Sequence, residues 1–431
     1  MPALAHLVAS RSAPADPQLS NPWFTEIHFL TSYPGTLLNR DDAGFAKRLP
    51  FGGAVRTRIS SQCLKRHWRT YQGEHGIAAI EVDGNTVPMS IRSRRTFERY
   101  VFKPLIDDDG VDEAVASAIT NTLLSELLGK SEKAKAKSEA KGEDQVDATK
   151  FTAGRTGQVT VLGRPEVDYL LREARALAAE SPDAQSAATN VKARIKEISK
   201  NLDALRLAMG LDAALFGRMI TSDHLARGDA AVHVAHAFTV HEESTETDYF
   251  SAVDDLLSTE EVEALGSGHI GNVELTSGLF YGYVVVDVPL LVSNLEGCQR
   301  SDWQTADRSL SAEVVRRLVH VVSRVSPGAK LGSTAPYAYA HMVLAESGTA
   351  QPRTLANAFL KPVAQRPDLV KNAYLAVASY LTDIDAMYGT AERRKLAALG
   401  PVDALEVVSP AGDRGSLGET AAWAAEQVRA G

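Results

Sequence analysis

Cysteine is almost missing from this chain. Its 431 residues hold two, Cys63 and Cys298, too few for a disulfide framework and suited to a reducing compartment, so a cytoplasmic location is expected. Long apolar runs are also missing: no stretch of 18 apolar residues exists to cross a membrane. The opening residues, MPALAHLVASRSAPADPQLSNP, lack the basic start and apolar core of a secretory signal and read as a disordered polar tail over residues 1–21. Catalytic signatures are as scarce. HExxH, CxxC and GxSxG do not occur, and the Gly-Lys-Ser of LLGKS has Leu124 where a phosphate-binding loop needs its first glycine. The usual zinc, nucleotide and serine-hydrolase motifs are therefore missing, and no cofactor is expected.

An excess of positive charge is missing too, with 46 Lys and Arg against 54 Asp and Glu and a net charge of -8. What basic charge there is gathers in one place. Residues 40–100 hold 12 Lys or Arg and 6 Asp or Glu, a local +6 that leaves -14 for the remainder. An acidic chain repels polyanions at long range, yet a basic patch still holds phosphates within a Debye length of roughly 8 Å.

The pattern around that patch predicts a strand followed by a helix. In AVRTRIS, Val55, Thr57 and Ile59 alternate with Arg56 and Arg58. Ser60 or Ser61 then caps a helix whose buried face is Leu64, Trp68 and Tyr71. Gln62, Lys65, Arg66 and Arg69 fall on the opposite face. With Arg40 and Lys47 they form a candidate phosphate groove at a helix N-terminus, where free N–H groups favour anions. A solvated cationic face is the alternative.

Elsewhere, WFTEIHFLTSYPG predicts a half-buried strand with Trp23, Ile27 and Phe29 opposite Glu26 and His28, turned by Pro34-Gly35. Residues from Gly73 to Arg206 are largely helical and read as a lobe inserted into a strand-bearing domain. Within it Ser131–Gln145 is low-complexity. TSGLFYGYVVVDV predicts a strand and SAEVVRRLVHVVSRVSPG an amphipathic helix. The fold class expected is α+β, of ferredoxin-like type. YGYVVV partly echoes an RNA-platform strand, although alternating aromatics usually pack a core. His233 and His236, at i and i+3, would suit a metal on a helix face but find no third ligand at familiar zinc spacing, so with His241 they read as core or interface side chains. Asp41 and Asp42 are a carboxylate pair suited to Mg²⁺ or to acid–base work, but also to capping a turn or pairing with Arg40. His241–Glu263 carries nine acids, no Lys or Arg, and Tyr249-Phe250 at its middle, as a projecting arm with an aromatic tip would.

LNRDD, FGG, RISSQ, LKR and Arg69, followed in order by GRMITS (217–222), AHAFTVH (235–241), DYFSAVDDL (248–256), TSGLFY, PGAK (327–330) and ANAF (356–359), resemble the CasC family, the backbone subunit of the type I-E CRISPR Cascade. The resemblance spans roughly residues 23–370. It implies a right-hand shape: an RRM-like palm (22–72, 206–240 and 269–375), a helical finger lobe (73–205) and a thumb (241–268); beyond it, residues 376–431 are expected to form a C-terminal helical segment. It also implies copies stacked head to tail along a CRISPR RNA, presenting it to target DNA beside other Cascade subunits, with no enzymatic activity and no membrane partner. Arg40, Lys47, Ser60, Gln62, Lys65, Arg66 and Arg69 then match RNA-backbone contacts. Met219 and Phe250 match the residues that cradle a displaced nucleotide, and Lys330 matches a further basic contact. Ala54 and Val55 stand where the family carries more basic residues, which leaves that charge to Arg56 and Arg58. Distant relatives that cut target RNA with an aspartate near this loop give the alternative, a metal-dependent ribonuclease using Asp41 or Asp42. A metabolic enzyme binding a phosphorylated metabolite is a third reading.

Overall fold

One 19-residue strand, His269–Asp287, organises the molecule. The computed structural model describes residues 23–128, 153–203, 209–218, 228–252, 269–390, 392–407 and 413–430. Along the chain, β1 (Phe24–Thr36), β2 (Arg48–Phe51) and β3 (Ala54–Ile59) lead into α1 (Ser61–Thr70). A small hairpin, β4 (Glu81–Val82) and β5 (Asn85–Thr86), and then β6 (Ser90–Ser93) precede α2 (Lys103–Asp107) and α3 (Glu113–Leu128). β7 (Thr160–Gly163) introduces α4 (Arg164–Ala179) and α5 (Ala184–Asp203). α6 (Leu211–Phe216) returns the chain to β8 (Val232–Val234), β9 (Ala237–Thr239), β10 (Thr245–Ala252) and the long strand, β11. The remainder is α7 (Val288–Glu296), α8 (Ser309–Arg324), α9 (Leu331–Thr334), β12 (Ala340–Gly348), α10 (Leu369–Tyr388), β13 (Arg393–Ala398) and α11 (Leu417–Ala430).

The main sheet runs β13-β12-β1-β11-β9-β3-β2 with antiparallel neighbours, so the class is α+β. β11 extends beyond the aromatic and β-branched run that starts at Thr276: residues 269–276 pair with β10 as a hairpin. Strand alternation splits the sheet into two cores. On one face Ile27, Phe29, Val284 and Val286 pack under Trp68 of α1, Leu295 of α7, Leu318 of α8 and Val428 of α11. On the other, Leu30, Tyr281, Met342 and Leu344 pack under Phe359 and under Tyr374, Val377 and Leu381 of α10. Between β3 and β8 a separate core of Phe97, Leu105, Ile119, Leu123, Leu170 and Val191 closes a helical lobe.

Several sequence expectations change here. β1 is not half-buried: it lies between β11 and β12, both of its faces are covered, and His28 and Glu26 are buried with Ile27 and Phe29. Trp23, just outside the strand, is exposed instead. Pro34-Gly35 does not turn the chain but sits in a register shift within β1. β13 lies inside the segment 376–431 read as helical, and it extends the sheet beside β12. The tail 1–21, Ser131–Gln145 and Met219 lie outside the described residues.

The second face also buries ions. His28 Nε2 donates to the Glu346 carboxylate at 3.0 Å. Arg353 donates to both Glu346 oxygens at 2.9 and 3.1 Å, and Arg394 Nε to one at 2.6 Å. Arg394 also grips Asp385 of α10 with two bonds of 2.6 and 2.7 Å. Buried charge is tolerated only when neutralised and hydrogen-bonded, and here the ion pairs and the His28 hydrogen bond tie β1, β12, β13 and α10 together. Tyr281 is buried in the same layer, its hydroxyl 2.9 Å from His28 Nδ1 and accepting from Leu355 N–H at 2.9 Å. The aromatic echo of an RNA platform is thus core packing, sealed by α10.

Candidate nucleic-acid interface

The basic segment folds as a strand, a corner and a helix. Gly52 and Gly53, both at positive φ (62° and 79°), make the two-residue turn between β2 and β3 that only glycine adopts cheaply. A Cβ on Gly52 would also lie 1.5 Å from the Leu360 carbonyl oxygen. At the corner, extended Ser60 accepts from Cys63 N–H at 3.3 Å and starts α1. Leu64 and Trp68 anchor the helix by burial, each contributing about 2–3 kcal/mol. The helix ends at Thr70, which carries Tyr71 off the buried face to 37% exposure, contrary to the expected apolar stripe.

The loop before β2 is knitted to this corner. Asn39 accepts from Ser60 N–H at 2.9 Å through its side chain and from Lys47 N–H at 2.9 Å through its carbonyl. Arg58 N–H donates to the Lys47 carbonyl at 2.7 Å. The Asp41 carboxylate accepts from Phe45 N–H at 2.9 Å, so it caps its own turn. Asp42 is exposed.

On this frame the cations form a row. Arg40, Gln62 and Arg66 are exposed, and Lys47, Arg58, Lys65 and Arg69 are half-buried. Arg58 donates at 3.3 Å to His236 Nδ1, which also accepts from Ser61 N–H. Burial, then Arg58 and Lys47, push the His236 pKa down, consistent with its acceptor role. Burial and then Arg92 lower the Lys65 pKa, and the same two causes lead the lowering at Arg69. Cations that disfavour one another's charge form a field that an anion would relieve.

Two candidates leave the row. Arg56 is fully buried: it donates to the carbonyls of Thr239 and Phe359, each at 3.0 Å, while Val55 beside it is exposed. β3 is an interior strand whose second face lies under residues 355–363, so alternation sends Arg56 inward and not to the groove. Ser60 is buried as well, its hydroxyl taken by the helix cap. Of the three histidines, His241 is buried, His233 is exposed on a strand and not a helix, and His236 joins the row. Among the described residues, no three His, Cys, Asp or Glu converge as a metal site.

A cleft of about 600 Å³ opens beside the row, between this loop and the β10–β11 hairpin. Arg40, Phe45, Arg48, Thr247, Asn272 and Lys330 are among its lining residues. Arg48 pairs with Glu243 at 2.6 Å and with Glu274, joining the loop to the hairpin. Phe45 is 54% exposed. Neither Phe45 nor Arg48 stood out in the sequence; the usable signal was an aromatic inside a polar, glycine-bearing loop. Phe250 occupies a backbone position in β10 opposite Gly271, and its side chain lies outside the described residues.

Comparison with known proteins follows this geometry. The family model described as CT1975-like protein matches residues 25–423. A chain of a solved CRISPR RNA-guided surveillance complex, pre-nicking, superposes with a TM-score of 0.71 at 27% identity, over 94% of this chain and 100% of that one. A chain of a second CRISPR RNA-guided surveillance complex gives 0.62 at 24% identity, over 94% and 99%, a likeness of fold. No curated protein sequence matches.

Proposed function

The chain belongs to the CT1975-like protein family, and we propose that it is the CRISPR RNA-binding backbone subunit of a Cascade complex, of type I-E. The observation that carries this is the cationic row of Lys47, Arg58, Lys65, Arg66 and Arg69 on an otherwise acidic chain. Such a row holds the phosphates of one strand without reading its bases. Sequence readout then passes to pairing between guide and target DNA. In this reading the sheet is an RRM-like palm, the helical insertion a finger lobe, and the β10–β11 hairpin the base of a thumb. RNA lies across the α1 corner and the adjoining cleft, because the sheet face used by platform-type binders is covered by α10. A basic groove and an acidic hairpin are unlike surfaces, which suits head-to-tail stacking into an open filament beside other Cascade subunits. The protein is then a cytoplasmic scaffold, not an enzyme.

The test is purification and nucleic-acid extraction. RNA of uniform length should copurify, and changing Lys65, Arg66 and Arg69 together to Ala should abolish it and flatten the salt dependence of binding, by about 0.7 in log–log slope per lost contact. RNA retention unchanged in the triple variant would refute the groove. The ribonuclease alternative predicts Mg²⁺-dependent, periodic cutting of complementary RNA by the assembled complex, lost in Asp41→Ala or Asp42→Ala. The turn-capping bond of Asp41 favours the scaffold.

A further inference from the structure

Asp212 is a fully buried carboxylate in the first turn of α6. It accepts from Ser90 N–H at 2.6 Å, from the Ser90 hydroxyl at 2.8 Å and from Arg92 Nε–H at 3.1 Å. The Arg69 guanidinium lies 3.6 Å away. An ionised carboxylate stays buried only when its charge is met, and the two arginines that meet it come from different elements, α1 and β6. At the far end of the same short helix, the Phe216 ring lies 5.6 Å from the Lys65 ammonium. α6 therefore supports three cations from beneath with one acid, which leaves an excess of positive charge at the surface.

That surface is accessible. The Arg92 side chain is 29% exposed although its Nε is committed to Asp212, and the Arg69 side chain is 21% exposed. A guanidinium anchored through Nε has a fixed plane, and a fixed fork suits bidentate recognition of phosphate oxygens. Resting on the RNA-binding reading, we propose that Arg92 is a further phosphodiester contact adjoining Lys65 and Arg69, and that Asp212 is the positioning residue that orients both guanidinium groups. β6 pairs with β7, which leads directly into α4 of the helical lobe. One RNA strand would thus be gripped by the sheet domain and the lobe together.

The experiment measures binding of the full-length protein to a labelled single-stranded oligouridine across a sodium chloride series. Arg92→Ala should weaken binding by about threefold to tenfold and make the log–log slope shallower by about 0.7. Arg92→Lys should restore the slope but not the whole affinity. Asp212→Asn should weaken binding of the folded protein in the same direction. A merely structural role for Asp212 would lower Tm and leave the affinity of the folded fraction unchanged. Should Asp212→Asn fail to fold, Arg92→Ala decides alone: wild-type affinity and slope overturn the proposal. A Lys65→Ala/Arg66→Ala double variant, measured in parallel, separates the two readings. Reduced binding there with unchanged Arg92→Ala removes only this inference, and unchanged binding in both removes the RNA-binding reading as well.

Discussion

His28 and Glu346 are 318 positions apart in sequence and 3.0 Å apart in the fold, both fully buried. Glu346 is the hub of its layer, neutralised by the Arg353 and Arg394 guanidinium groups while His28 donates a hydrogen bond to it. Glu346→Gln removes the buried carboxylate that both arginines share, leaving Arg394 with Asp385 and Arg353 with Glu392 and Glu26. A loss of about 3–5 kcal/mol is expected, read as a lower urea midpoint at unchanged m-value. A loss below about 1 kcal/mol would show that the network adds little stability.

His320 confers acid sensitivity. Its ring stacks on His75 with centroids 3.9 Å apart, and its buried Nδ1 has no hydrogen-bond partner. Burial, then His75, Arg324 and Arg316, hold its pKa down at about 4, with Glu313 opposing. Because the folded protein disfavours this proton, the stabilising contribution is complete above the ordinary value near 6.5 and is lost as pH falls from there toward 4. The expected loss is about 2–3 kcal/mol. His320→Phe keeps the stack and should flatten this part of the stability profile. An equally steep profile in that variant would assign the effect elsewhere.

Arg56, buried on two carbonyls, is expected to serve stability and not binding. Arg56→Met keeps most of the aliphatic stem but strands the carbonyls of Thr239 and Phe359, which should cost about 2–4 kcal/mol. The salt slope of RNA binding, measured well below the unfolding transition, should stay at the wild-type value. A shallower slope would place the guanidinium on RNA.

On the proposed reading, the cleft between the loop and the hairpin offers two kinds of RNA contact. Phe45→Ala should weaken RNA binding by about 1–3 kcal/mol with the slope intact, as loss of a stacked base would. Lys330→Ala should make the slope shallower by about 0.7, as loss of a phosphate contact would. Fluorescence anisotropy across a salt series checks both, and identical behaviour of the two variants would contradict the assignment.

By itself the sequence determined where local signals were strong. The run of Thr276–Val288 marked most of β11, Ser60-Ser61 marked the start of α1, and the amphipathic pattern of SAEVVRRLVHVVSRVSPG marked α8. It also placed Lys65, Arg66 and Arg69 together on α1, because residues three and four apart share a helix face. What it could not settle was which side of a strand is covered, since that depends on elements hundreds of residues away. Only the tertiary structure turned Arg56 inward, buried His28 and Glu26 between β11 and β12, and brought Asp212 and Arg92 to the cationic row. Periodicity records that a residue has a face; burial, charge pairing and desolvation are properties of what comes to lie against that face, and the folded chain alone decides them.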